Sequence, residues 1–261
     1  MTPRRSAAVL GLVVGWLAAA LLLDSAVPGG GATRGQQHLL GVGTWLLLLG
    51  LLRRETLHVR VQVGVVVVFA TVVEYVFSEW LGTYEYRLGT VPVFVPPGHG
   101  LVYLAALSFA RLPWAQRHGR ALVAAVLVVG GAWALWGLTL SPTHDALGAF
   151  WYGCLVLFAW RGRSPLVYVG AFLVVSYLEI AGTSLGTWRW GEVDPVLGWI
   201  TIGNPPSGIA GGYAWFDAAA LAATPVLLRW WARRSAAPGQ LGVDPDEVVA
   251  HSRRPLEVQR R

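Results

Sequence analysis

The chain contains no lysine, one cysteine and one methionine, and only 13% of its 261 residues carry a charged side chain. A single cysteine, Cys154, excludes an intramolecular disulfide and a thiolate metal cluster; it falls inside an apolar run and reads as packing. The scarcity of charge, set against 55% hydrophobic residues and a mean hydropathy of +0.53, excludes a water-soluble fold, because one core cannot hide that much apolar surface. The chain reads as a membrane protein. Its formal charge of +6 would suggest nucleic acid in a soluble protein, but all twenty basic residues are arginine and their placement explains the sign. Seventeen fall at Arg4 and Arg5, at Arg53, Arg54 and Arg60, at Arg111, Arg117 and Arg120, at Arg161 and Arg163, and from Arg229 onward, whereas only Arg34, Arg87 and Arg189 fall in the alternate loops. No nucleic-acid partner is implied.

A spanning helix needs roughly 17 to 25 mostly apolar residues. Eight runs qualify as candidate spans, near 7–23, 39–52, 61–80, 91–110, 121–140, 146–160, 166–181 and 207–228. With the arginine asymmetry, the positive-inside rule places both termini in the cytoplasm of a multi-pass cell-membrane protein. The first run, between Arg4–Arg5 and Asp24, has the look of a signal peptide, but an internal repeat gives it a partner and predicts that it is retained.

That repeat rests on landmarks. His38 and Trp45 recur as His144 and Trp151 at an offset of 106, Leu81-Gly82-Thr83 recurs as Leu185-Gly186-Thr187 at 104, and Pro96-Pro97 recurs as Pro205-Pro206 at 109. A nearly constant offset predicts a four-helix duplication. An even number of spans per copy makes the copies parallel, related by an axis along the membrane normal. The expected fold is all-α: a first four-helix repeat over 1–112, a second over 118–232, and a disordered cytoplasmic tail over 235–261, whose arginines can touch anionic head groups. Each Pro-Pro is expected to open the last helix of its copy, where a missing N–H costs little. Gly15, Gly43, Gly148, Gly170, Gly211 and Gly212 are expected at close helix contacts.

The chemistry concentrates in the twin stretches. Glu74 and Glu179 each lie inside an apolar run, where an ionisable group costs about 2.5 to 3.5 kcal/mol or more and must face protein or water. Ser78 and Thr183 follow four residues on, extending a polar stripe on the same helical face. Asp217 is a third acid at membrane depth, with Tyr213 on the preceding turn, and has no acidic counterpart in the first copy. Glu74, Glu179 and Asp217 are therefore the candidate catalytic residues, with a purely structural hydrogen-bonding role as the alternative. Tyr84, Tyr86 and Arg87 in one copy, and Trp188, Arg189 and Trp190 in the other, alternate aromatic and charged groups at the outer interface, either ordering the loops or lining a substrate mouth. The two arginines are expected to pair with Glu79, Glu85, Glu192 or Asp194. His99, with His38 and His144, falls at outer helix ends, but the spacing matches no metal motif, so neither metal nor cofactor is expected. Asn204 is placed to cap the last helix.

These stretches resemble the integral-membrane carotenoid biosynthesis proteins, a family that includes carotenoid hydratases acting on long acyclic polyenes. The resemblance is carried by Glu74, then Gly-Thr-Tyr-Glu-Tyr-Arg-Leu-Gly at 82–89 and Val91-Pro92, and more loosely by Trp188, Arg189 and Trp190 followed by Gly203-Asn204-Pro205. The Pro96–His99 segment and the longer second loop have no counterpart in that pattern. The resemblance implies an enzyme that works in the bilayer on an apolar isoprenoid, adding water to a terminal alkene. The residue inventory is compatible. Burial favours the uncharged form of a carboxyl, so an acid in an apolar span can hold a proton for carbon, aromatic faces can stabilise the cation, and a second carboxylate can position water. The same inventory suits a proton-coupled transporter or a non-catalytic scaffold, and these readings stay open at this point.

Overall fold

The computed structural model describes residues 2–26 and 31–235. Helix α1 (Pro3–Leu23) starts at Thr2, whose side chain accepts the Arg5 N–H, and α2 (Arg34–Leu52) starts at a capping box between Thr33 and Gln36. Helix α3 (Leu57–Glu74) runs into a π-helical turn over Tyr75–Trp80, followed by a short strand β1 (Tyr84–Tyr86) and α4 (Val95–Ala110). A short α5 (Pro113–Arg117) leads to α6 (Gly119–Thr139), α7 (Ala146–Arg161), α8 (Pro165–Ser184), strand β2 (Trp188–Trp190) and α9 (Ala210–Ser235). Every one of the eight apolar runs is thus helical along most of its length.

Four of the described helices are long and apolar enough to cross a membrane: Pro3–Leu23, Leu57–Trp80, Gly119–Thr139 and Pro165–Ser184. Their outward faces carry bare Leu, Val and Trp side chains such as Val68, Val128 and Leu135, which are more than half exposed. A surface of that kind is stable against hydrocarbon rather than water, so the chain is a helical membrane protein.

The interior is organised around α4, buried at every position from Pro97 to Ala110. It packs most extensively on α8, and then on α1 and α3, while α9 packs on α3 and α7. Small residues set the closest approaches. A Cβ at Gly170 would stand 2.9 Å from the Ala106 Cα across the α4–α8 contact, and one at Gly211 would run into the Trp151 carbonyl of α7. Gly148 is equally confined. Gly15, by contrast, has open space beside it, so its expected packing role is corrected.

The all-α expectation holds, with one small addition: β1 and β2 pair antiparallel in the register Tyr84 with Trp190, Glu85 with Arg189 and Tyr86 with Trp188. Two other expectations change. Pro96 and Pro97 do sit in the first turn of α4, but α9 begins at Ala210, beyond Pro206, and the Asn204–Pro205 peptide is cis. The loop before α9 is fastened instead by Asp145, the buried N-cap of α7, whose carboxylate accepts N–H groups from Gly148, Gly203 and Ser207 at 2.9, 2.8 and 2.6 Å. Finally, Arg87 pairs with none of the four expected acids. Its guanidinium meets the Asp24 carboxylate at 2.6 Å and the Asp24 and Ala32 carbonyls, pinning the end of β1 to the end of α1. Of the expected tail, all but Ser235 lies outside the described residues.

Candidate functional site

Glu74 closes the α-helical part of α3, and the π turn that follows shifts the chain by one residue so that β1 folds back over the carboxyl. Such turns recur at functional sites because they re-aim side chains within a helix. The alternating burial of β1 turns Tyr84 and Tyr86 inward and leaves Glu85 exposed. Both tyrosine hydroxyls donate to Glu74 Oε2 at 2.7 Å, and His99 Nε2 on α4 lies 2.8 Å from Oε1. Both oxygens of Glu74 are therefore engaged.

The second acid is held the same way with different donors. Trp188 and Trp190 of β2 donate their indole N–H groups to Glu179 Oε2 at 3.0 and 3.1 Å. Among the described residues no hydrogen bond reaches Glu179 Oε1. Gly182, one turn after the acid, makes the arrangement possible, since the Trp188 ring lies where a Cβ would stand. Asn204 does not cap α9; its side-chain oxygen accepts the Trp190 N–H at 3.1 Å and braces β2.

Both carboxyls line one cavity of about 460 Å³, within the size range of small-molecule sites. Its wall is otherwise almost wholly apolar and is built from α1, α3, α4, α7, α8 and α9 as well as the ribbon. Phe69, Phe150 and Trp215 line it while remaining exposed on the outer face of the bundle, so the cavity opens sideways into the apolar surface. His99 forms part of the wall, stacked on Tyr213 with ring centroids 5.2 Å apart. Tyr84 and Tyr86, in the connection outside the helices, have their phenols pushed well above the ordinary range, first by burial and then by the charge of Glu74.

The candidate residues divide accordingly. Glu74, Glu179, Tyr84, Tyr86, His99, Trp188, Trp190 and Tyr213 meet at the cavity. Arg87, Arg189, Asn204 and Asp217 are not in its wall. Arg87 and Asn204 hold the ribbon from behind, and Arg189 is exposed opposite Glu85. Asp217 is buried one turn beyond Tyr213. Ser78 and Thr183 also stay out of the wall; Thr183 turns its hydroxyl to the Glu179 carbonyl at 2.7 Å. His38 and His144 are exposed, and among the described residues no three His, Cys, Asp or Glu side chains converge as a metal-ligand set. The apolar wall residues Phe69, Phe150, Trp215 and Phe216 were not singled out from sequence, since hydropathy alone does not separate a lipid-facing ring from a cavity-facing one. Comparison with family models, curated proteins and solved structures finds no match.

Proposed function

We propose that the chain is an integral-membrane enzyme that adds water across a double bond of a long apolar isoprenoid of the carotenoid class. The observation that carries this reading is the asymmetry of the two acids: in one apolar cavity, Glu74 is saturated by two tyrosines and a histidine, while one oxygen of Glu179 receives no hydrogen bond from the described residues. In the proposed step, the protonated Glu179 carboxyl gives its proton to the terminal alkene carbon, leaving a tertiary cation. The faces of Tyr84 and Trp190, whose centroids lie 4.6 Å apart, stabilise that cation by about 0.5 to 2 kcal/mol each. A water adds to the cation and loses its proton to the Glu74–His99 pair, and that proton returns to Glu179. The balance is one water added. The sideways opening suits a substrate that arrives from the bilayer.

The same proposal includes eight spans in two parallel copies with cytoplasmic termini. Residues 84–86 and 188–190 correspond at the repeat offset and pair with one another in a self-complementary register, as a two-fold axis through the ribbon would require. Such an axis also exchanges the α3–α9 contact with the α8–α4 contact, the two most extensive in the bundle. The test is lipid extraction and mass analysis of cells with and without the gene: a long isoprenoid that differs by one water supports the hydratase, and an unchanged lipid profile removes it. Proton-coupled transport is the second reading, favoured by the further buried acid, Asp217, beneath the cavity.

A further inference from the structure

Helices α4 and α9 carry their polar groups in step as they leave the cavity. His99 stacks on Tyr213, and four residues further along each helix come Tyr103 and Asp217. Four residues advance a helix by about 6 Å, so the second pair lies roughly one turn deeper than the first. Tyr168 lies on the first turn of α8, just after Arg163, and Arg111 follows the last turn of α4, so both helices lead from this level toward the arginine-rich connections.

The column carries unpaired polar atoms: among the described residues, His99 Nδ1, Tyr103 Oη and Asp217 Oδ2 are buried without a hydrogen-bond partner, in residues 5% exposed or less. A buried polar group left unsatisfied is destabilising, and folded proteins satisfy such groups with internal water. A packing role alone would be served better by Leu or Phe at these positions. We propose that Asp217, Tyr103 and bridging water form a proton path between the arginine-rich end of the bundle and the Glu74–His99 pair. The buried Asp217 carboxyl gives its proton through water oriented by Tyr103 to His99 Nδ1, as His99 Nε2 releases its own proton to Glu74, and a proton from the aqueous side reloads Asp217. Each transfer breaks one bond to hydrogen and forms one, no electrons change hands, and the return transfer discharges Glu74. Asp217 is thus a relay for the site rather than a group that touches substrate. The path rests on the proton-transfer role of Glu74 and His99, not on any substrate.

The test uses the full chain in proteoliposomes, with a caged proton released by light on the arginine-rich side. The readout is the infrared carboxyl band that disappears in Glu74→Gln. In Asp217→Asn and in Tyr103→Phe this band should rise about tenfold or more slowly than in the wild type, and Asp217→Glu should restore the rate. A wild-type rate in either folded variant overturns the path, and Tyr103→Phe alone decides the matter if Asp217→Asn does not fold. No substrate is present, so a failed hydratase assay and a failed relay are separate results.

Discussion

Asp24 and Arg87 face each other 2.6 Å apart, with the carboxylate wholly buried and the arginine partly so, and this pair ties the strand bearing Tyr84 and Tyr86 to the end of α1. Removing one partner of such a pair strands the other charge, at a cost of about 3 to 5 kcal/mol. Arg87→Ala and Asp24→Asn should each lower the thermal unfolding temperature in detergent. The double variant should lose less than the sum of the two. Additive losses would show that the two residues act separately.

Gly182→Ala should destabilise, against the usual trend. In an open helix interior the change gains about 1 kcal/mol of helix propensity. Here the new methyl would run into the Trp188 ring, and overpacking costs about 1 to 3 kcal/mol. The ring must move off Glu179, so loss of stability should come with a shift in tryptophan emission. A more stable protein with unchanged emission would mean that Trp188 is not seated as described.

Glu179→Gln preserves an acceptor for both indole N–H groups while removing the transferable proton. The variant should fold normally and lose about a hundredfold or more in turnover. Glu74→Gln disturbs three hydrogen bonds and the His99 pairing, so it should lose stability as well as turnover. Full activity in both would make the acids structural.

The ribbon tyrosines predict the alkaline behaviour. A group whose folded pKa lies above its unfolded value contributes stability that is present below the unfolded value, about 10 for a phenol, and is lost as pH rises through the folded one. Tyr84 and Tyr86 should therefore stay neutral while ordinary tyrosines ionise, and they should titrate only as the protein unfolds. A tyrosinate absorbance titration of Tyr84→Phe/Tyr86→Phe beside the wild type checks this: if the double variant loses amplitude from the ordinary range, the two phenols are not held as described.

Orientation is checked at Gly191, next to β2, where the space beside the backbone admits a cysteine side chain. With Cys154 replaced by Ala, a cysteine at 191 should react with an impermeant reagent from outside intact cells. Reaction only after permeabilisation would reverse the topology.

The helices were legible because hydropathy and arginine placement report directly on what each segment can bury. The two glutamates were legible for the same reason, since an acid in an apolar run stands out. The strands were less so, although the alternation in Tyr84-Glu85-Tyr86 and Trp188-Arg189-Trp190 has the period of two that a strand requires. Reading those residues as a rim that orders the loops or lines a substrate mouth hides the pairing, because three residues are too few for periodicity to outweigh composition. From sequence Asp24 reads as the flank of a span; its link to Arg87 crosses 63 residues and leaves no local trace. The π turn after Glu74 is likewise set by packing, and helix propensity does not record it.

The ribbon makes each part of the chain answerable for the other. Among the described residues each strand finds its neighbour in the other half of the chain, so a fragment ending near α5 would carry a bare strand edge and only part of the cavity's lining. Two such fragments made separately in one membrane have complementary edges, and the site would come into being only when they meet.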